Sequence, residues 1–235
     1  MDFSTRSYQA ELLDAENIPF DDIAQNMKEL ETINHYLGGH KVTVAGFREL
    51  AAGLSSVSVC EIGCGGGDNL RVLQSWCQEK RIAFQALGID INPDCIRVAE
   101  ASNHAPGIRF MVADYRSVTL ETEKPDILFS SLFCHHFPGH ELVPMLHWMR
   151  ANSRVGFFIN DLHRHALAYY SIRLLTAGFS KSYLVKNDAP LSVRRGFSKT
   201  DWLQLLHSAG IREFSLRWKW AFRWLITVHA QTPMA

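Results

Sequence analysis

The sequence has no surplus of charge of either sign. Lysine plus arginine number 24 and aspartate plus glutamate number 24, so 235 residues carry a formal net charge of zero. Without a basic stripe, nothing supplies the electrostatic footprint of a nucleic-acid binder or of a protein held on an anionic membrane. No apolar run approaches the ~20 residues that cross a bilayer, and Asp2-Phe3-Ser4-Thr5-Arg6 lacks the apolar core of a signal peptide. No Cys-x-x-Cys pair occurs, which argues against a structural zinc site. Five cysteines, an odd number without an export signal, read as reduced thiols in a cytoplasmic protein. Repeats and low-complexity tracts are also missing. The length fits one large domain, or one domain with an appendage.

What is present centres on residues 57–69, Val-Ser-Val-Cys-Glu-Ile-Gly-Cys-Gly-Gly-Gly-Asp-Asn. A β-branched run (Val57, Val59, Ile62) enters a glycine cluster, and Leu70-Arg71-Val72-Leu73 opens a helical pattern. Strand, tight turn and helix in that order let backbone N–H groups approach a nucleotide-like ligand closely. Asp68 stands where a dinucleotide fingerprint has its third glycine, and Glu61 precedes the first glycine by two residues. A buried anion there repels a pyrophosphate but suits a ligand carrying an amino group and a sulfonium. Further on, Ala86-Leu87-Gly88-Ile89-Asp90-Ile91 reads as a second buried strand ending in an acid, placed to accept hydrogen bonds from ribose hydroxyls.

Cluster, Glu61 and Asp90 together resemble motif I and its following acid in the class I S-adenosylmethionine (SAM)-dependent methyltransferases. The resemblance runs over about residues 42–231 and implies SAM as cofactor. By the same resemblance Glu61, Gly63, Cys64, Gly65, Gly67 and Asn69 hold the methionine moiety and Asp90 holds the ribose. Ile91 and the triplet Ala113, Asp114 and Tyr115 bracket the adenine, while Ser131 and Leu132 border the cofactor after the fourth strand. Asp114 and Tyr115 equally suit a helix N-cap and a core ring.

The alternating pattern predicts an α/β fold: a Rossmann-like, seven-stranded, mostly parallel sheet with helices on both faces, a C-terminal antiparallel hairpin and an N-terminal helical cap. Expected strands are 57–62, 84–91, 108–112, 125–131, 154–160, 213–219 and 222–229. Expected helices are 8–14, 23–37 (with Asp21 or Asp22 as N-cap), 42–52, 69–80, 93–102 (with Asn92 as N-cap and Pro93 in its first position), 138–151, 165–179 and 200–209 (capped by Ser198). A polar, basic loop is expected from the end of the 165–179 helix through 193–197. The domain reading is a cap over 1–41 and a methyltransferase domain over 42–235, with a helical lid insertion at about 162–197.

Two histidine clusters mark the C-terminal ends of strands 4 and 5: Phe133-Cys134-His135-His136-Phe137 and Asn160-Asp161-Leu162-His163-Arg164-His165. Imidazole suits removal of a hydroxyl proton near neutral pH. His136, His135 or His163 is the candidate base, and an Asp161–His163 or Asp161–His136 pair would orient the ring. Helical i, i+4 spacing is absent among these histidines, as is an evident Asp-Asp-Asn triad of the magnesium-dependent catechol type, so no metal is expected. Asn34, Tyr169, Arg173, Arg194 and Arg195 are candidate substrate contacts.

These segments more loosely resemble bacterial methyltransferases associated with polyketide-type phenolic lipids and pigments. The expected function is methyl transfer to a hydroxyl of a small phenolic or polyketide-type metabolite, with no nucleic-acid partner, in a monomer or homodimer. C-methylation of an activated or quinone-type ring, and non-catalytic SAM binding, stay as alternatives.

Overall fold

The computed structural model describes residues 2–120 and 124–230, so both outer ends of the expected domains, at 1 and 235, lie outside the described residues. Strands β1 (Ser56–Ile62), β2 (Ala83–Asp90), β3 (Ile108–Val112), β4 (Ile127–Ser131), β5 (Gly156–Leu162), β6 (Ser215–Lys219) and β7 (Arg223–His229) make one sheet. Its order is β3-β2-β1-β4-β5-β7-β6. Neighbouring strands run parallel from β3 to β5, and β7 runs antiparallel to both β5 and β6. The chain builds outward from β1 to β3 and then returns to place β4 on the other side of β1. That reversal opens a crevice beyond the C-terminal ends of β1 and β4, where open α/β sheets bind their ligands.

Period-2 alternation divides the apolar strand residues between two faces. Leu128, Phe157 and Ile226 join a core with Leu142, Met145, Trp202 and Leu206. These come from α5 (Gly139–Ala151) and α8 (Lys199–Ser208). Phe129, Phe158 and Leu225 face the other way, onto Phe47 and Leu50 of α2 (Gly39–Leu50) and Leu70 and Leu73 of α3 (Asp68–Lys80). Phe129 and Phe158 stack with ring centroids 4.7 Å apart. Asn92 caps α4 (Pro93–Ser102) with Pro at its start, and Ser198 caps α8 in a reciprocal capping box with Asp201, both at the caps expected. All five cysteines are buried and unpaired.

The third layer differs from expectation in three places. α1 (Phe20–Tyr36) starts directly after Pro19, so Asp21 and Asp22 sit inside its first turn and neither caps it. Residues 8–14 are not a helix beyond a single turn at Leu12–Asp14. The expected basic loop is instead largely a helix, α7 (Tyr183–Arg195), capped by Ser182 and packed on α6 (Ala166–Phe179). Pro190 and the polar run Lys186-Asn187-Asp188 hide this helix from a periodicity reading. Leu184, Val185, Leu191 and Val193 nevertheless bury one face of it.

Arginines hold the non-helical start of the chain in place. Arg6 donates to the carbonyls of Arg195 (2.8 Å), His135 (3.1 Å) and Phe137 (3.0 Å). Arg164 donates to those of Phe3 (2.9 Å) and Ser4 (3.1 Å), and Arg195 to that of Gln9 (2.8 Å). Asp188 of α7 accepts the amides of Leu12 and Leu13 at 2.8 and 3.0 Å. Among the described residues no helix is long and apolar enough to cross a membrane.

Candidate active site

A cavity of about 1800 Å³ lies over the crevice, roofed by the N-terminal segment, α1, α6 and α7. One side of it is the glycine turn. Gly63, Gly65 and Gly67 have φ of +67°, +50° and +71°, a left-handed region that L side chains rarely enter. The amides of Gly63 and Cys64 donate to the Ile89 carbonyl at 2.8 and 3.1 Å, which locks the turn to β2. The Gly65 amide donates to Asp90 Oδ2 (2.8 Å) and the Asn92 amide to Asp90 Oδ1 (2.9 Å), fixing that carboxylate at the cavity wall. Burial raises the pKa of Asp90 although these amides pull it back. Burial likewise pushes the Cys64 thiol well up, leaving it a packing group.

Glu61 is fully buried, and Asn69 Nδ2 donates to its Oε1 at 3.0 Å. Its Oε2 has no partner. Burial, helped by the nearby Asp68 charge, raises its pKa well above the carboxylate range. A buried acceptor left unsatisfied costs about 1–3 kcal/mol. In a residue lining a ligand cavity, that orphaned oxygen fits an ammonium supplied by the ligand, which is what the methionine end of SAM carries. Around it, Asp68 Oδ2 lies 2.7 Å from His40 Nε2 and accepts from Asn34 Nδ2 at 3.2 Å. Asn34 Oδ1 in turn accepts from Arg223 Nη2 at 2.9 Å. Arg223 is a buried cation that sequence reasoning missed. Burial lowers its pKa to about 10, against the opposing charges of Asp161 and Asp68.

Ile91, Ser131 and Leu132 border the same cavity. Leu132 has φ +56°, backbone strain of the kind that collects at ligand sites. The expected adenine triplet stands differently. Asp114 caps the Tyr115–Ser117 turn and holds Arg116 at 2.6 Å, and Tyr115 is buried edge-on against Phe133, Phe137 and Trp148. Neither these two nor Ala113 lines the cavity.

The second side is built on the short turn Cys134–His136 after β4. His135 is buried, and its Nδ1 lies 2.8 Å from Asp161 Oδ1 while its amide donates to Asp161 Oδ2 at 3.2 Å. The oriented pair is therefore Asp161–His135, in place of the two pairings expected. Asp161 projects from the opposite face of β5 to Asn160, whose amide turns to Gly39, Thr43 and Ser131. The other ring nitrogen of His135 faces Glu11 Oε1 at 3.5 Å. His136 Nε2 faces Glu11 Oε2 at 3.7 Å, and its Nδ1 faces Asp14 Oδ1 at 3.4 Å. Ser192 Oγ donates to Glu11 Oε1 at 2.7 Å. Burial opposes ionisation of His135, but Asp161 and Glu11 outweigh it and raise its pKa to about 9. Burial likewise opposes the charge on Asp161 and Glu11, and the histidines hold both below the usual carboxylate range. Glu11 and Asp14 escaped the sequence reading because they lie far from the histidines along the chain.

Other candidates fall elsewhere. His163 accepts from Trp218 Nε1 at 3.1 Å and packs on Phe222 and Trp224, away from the cavity. Tyr169 is core, edge-on to Phe3, and Arg173 is solvent-exposed. Arg194 lines no part of the cavity. Arg195 is buried and committed to the carbonyls of Gln9, His135 and His136. Of the five substrate candidates only Asn34 borders the cavity.

Residues 59–156 match the family model described as a methyltransferase domain. Over that stretch, which is less than half of its length, the chain is similar to that domain. No curated protein matches it in sequence. Among solved structures, the plantazolicin methyltransferase BpumL in complex with SAH is similar at 16% identity and TM-score 0.66, with 90% of each chain covered. Human N-acetylserotonin methyltransferase in complex with SAM is similar at 17% identity and TM-score 0.64; the match covers 91% of this chain and 57% of that longer chain. A SAM-dependent methyltransferase from Aquifex aeolicus is similar at 15% identity and TM-score 0.62, covering 88% of this chain and 98% of that one. These likenesses show that the chain shares their fold.

Proposed function

We propose that this protein is a SAM-dependent methyltransferase that transfers the methyl group of SAM to a hydroxyl of a small phenolic or polyketide-type molecule held under α1, α6 and α7. One observation carries the reading: a single cavity is bordered both by the glycine turn with the unpartnered Glu61 oxygen and by the histidine–carboxylate cluster. About 1800 Å³ exceeds the roughly 300–1,000 Å³ of a pocket for one small ligand, so cofactor and acceptor fit together. Ile23, Met27, Ile33, Leu37 and Ile172 give the roof an apolar lining that suits an aromatic acceptor.

In this proposal Glu61 takes the ammonium of the methionine end, the Gly63–Gly67 turn lets the ligand approach the backbone, and Asp90 accepts the ribose hydroxyls. Bound SAM supplies an electrophilic methyl on a good leaving group, so the chief task of the protein is in-line placement of the acceptor oxygen. Deprotonation of that oxygen falls to the cluster of Glu11, His135 and His136. Asp161 supports it by fixing the ring of His135. The expected base thus moves from a single histidine to a group of three side chains.

The test is calorimetric titration with SAM, followed by a screen of phenols for a one-methyl mass gain and location of the new methyl. SAM binding with methylation on oxygen supports the reading. A methyl on ring carbon replaces it with C-methylation, and SAM binding without turnover on any acceptor leaves a non-catalytic SAM binder.

A further inference from the structure

Glu11, His135 and His136 each present one potential ligand atom, and these atoms lie within 4.8 Å of one another. We propose that they hold a divalent transition-metal ion of the zinc class, facing the acceptor end of the cavity. The two histidines are arranged alike. Each has a carboxylate behind Nδ1, Asp161 at 2.8 Å for His135 and Asp14 at 3.4 Å for His136. Each turns Nε2 towards Glu11, at 3.5 and 3.7 Å. A carboxylate behind the distal ring nitrogen is how metal-bound imidazoles are oriented.

The Nε2–Glu11 separations are too long for hydrogen bonds of 2.7–3.2 Å. They lie close to the about 3.4 Å edge of a tetrahedron drawn with bonds of roughly 2.1 Å. Glu11 is buried and steadied by Ser192, and Arg6 and Arg195 pin the backbone of the histidine turn. The ligands therefore need little reordering to converge.

Charge agrees with this assignment. Close to the cluster stand the carboxylates of Glu11, Asp14 and Asp161 and two cations, Arg6 and Arg195. With the imidazoles deprotonated, as metal binding requires, three negative charges against two positive ones leave a net negative site for a cation. Two imidazoles and one carboxylate favour a borderline ion over magnesium or calcium. Three protein ligands leave a coordination position open, the mark of a catalytic as opposed to a structural site. The sequence pattern concealed this set because it joins two adjacent histidines to a glutamate from the far end of the fold.

The role of the ion in methyl transfer rests on the O-methylation reading; its binding does not. With the ion bound, Glu11, His135 and His136 serve as its ligands in place of acting as the base themselves, and the ion would lower the pKa of an acceptor hydroxyl at the open position so that its proton passes to solvent. The oxygen lone pair forms the O–CH₃ bond as the S–CH₃ bond breaks, and the sulfonium becomes a neutral thioether.

The experiment uses full-length protein stripped with a chelator, titrated with Zn²⁺ by calorimetry and with Co²⁺ by visible absorption. A SAM titration on each sample checks that the fold is intact. One ion per chain is expected, with affinity reduced at least 100-fold in His136→Ala and in the isosteric Glu11→Gln. Asp161→Asn, one shell out, is expected to weaken it about 10–100-fold. No stoichiometric ion in protein that still binds SAM overturns the site, as does unchanged affinity in Glu11→Gln. Metal binding without any effect on turnover keeps the site and removes its catalytic role. Metal binding with no oxygen methylated keeps the site and rejects the acceptor reading.

Discussion

Asp161 Oδ1 stands 2.8 Å from Nδ1 of His135, and both side chains are enclosed by protein. A buried pair of this kind is costly to break from one side, because the remaining group keeps its charge without a partner. Asp161→Ala is expected to lower unfolding free energy by about 3–5 kcal/mol, read from denaturant melts. The isosteric Asp161→Asn keeps the hydrogen-bonding shape and should lose distinctly less. Equal losses in the two variants would show that charge pairing is not what stabilises this spot.

Glu61 gives an opposite pair of effects. Its pKa is raised, so the ionised carboxylate destabilises the free fold at any pH above the ordinary carboxylate value. Glu61→Gln removes that cost and should raise the thermal midpoint of the free protein at neutral pH. It also removes the charge proposed to meet the ammonium of SAM. Affinity should therefore fall about 10–100-fold, the equivalent of about 1.5–3 kcal/mol for a hydrogen bond to a charged group. Melts with and without SAM read both effects, and a variant that gains neither stability nor a weaker cofactor contradicts the assignment.

Gly63 tests the turn. A Cβ there would lie 2.1 Å from the Phe133 ring, and φ is +67°. Gly63→Ala must displace Phe133, the residue that leads into the histidine turn. Loss of SAM binding in calorimetry and a lowered thermal midpoint are expected together.

Asp126 contributes to stability against acid. Burial works to raise its pKa, but the Ser58 amide (2.8 Å) and hydroxyl (2.9 Å) and the Arg154 guanidinium (2.5 Å) hold it below the usual value. A depressed carboxylate stabilises the fold above its unfolded pKa and loses that contribution as pH falls through the folded one. Asp126→Asn should thus be less stable than wild type at neutral pH. The gap should start to close below about pH 5 and disappear in stronger acid, as followed by urea melts across pH.

His163→Ala and Arg173→Ala are expected to leave turnover and SAM affinity unchanged in steady-state and calorimetric assays. The ring of His163 answers to Trp218, and Arg173 faces solvent. A large drop in turnover for either would return it to the site.

Features carried by neighbouring residues were readable in advance. The parallel core, the Asn92 and Ser198 caps, the glycine turn and its two acids all depend on contacts within a few residues or on β-strand alternation. What could not be read depends on chain segments that meet only in the folded state. Glu11 reaches His135 across 124 positions, and Arg223 reaches Asn34 across 189. α7 was missed for a different reason: Pro190 interrupts its pattern, yet packing on α6 and the N-terminal segment compensates for the lost hydrogen bond. Asp161 was assigned the wrong histidine because spacing along β5 does not reveal which element covers each face.

The start of the chain is held through its backbone by Arg164, Arg195 and Asp188 and through its own Arg6, and it carries Glu11 and Asp14 into the cavity. Apart from Arg6, these contacts do not depend on which side chains the segment bears. On the proposed reading, cofactor recognition lies in the sheet, whereas this irregular segment shares acceptor choice with the helices of the roof. Drift in those residues offers lineages a route to new acceptors that leaves the SAM crevice untouched.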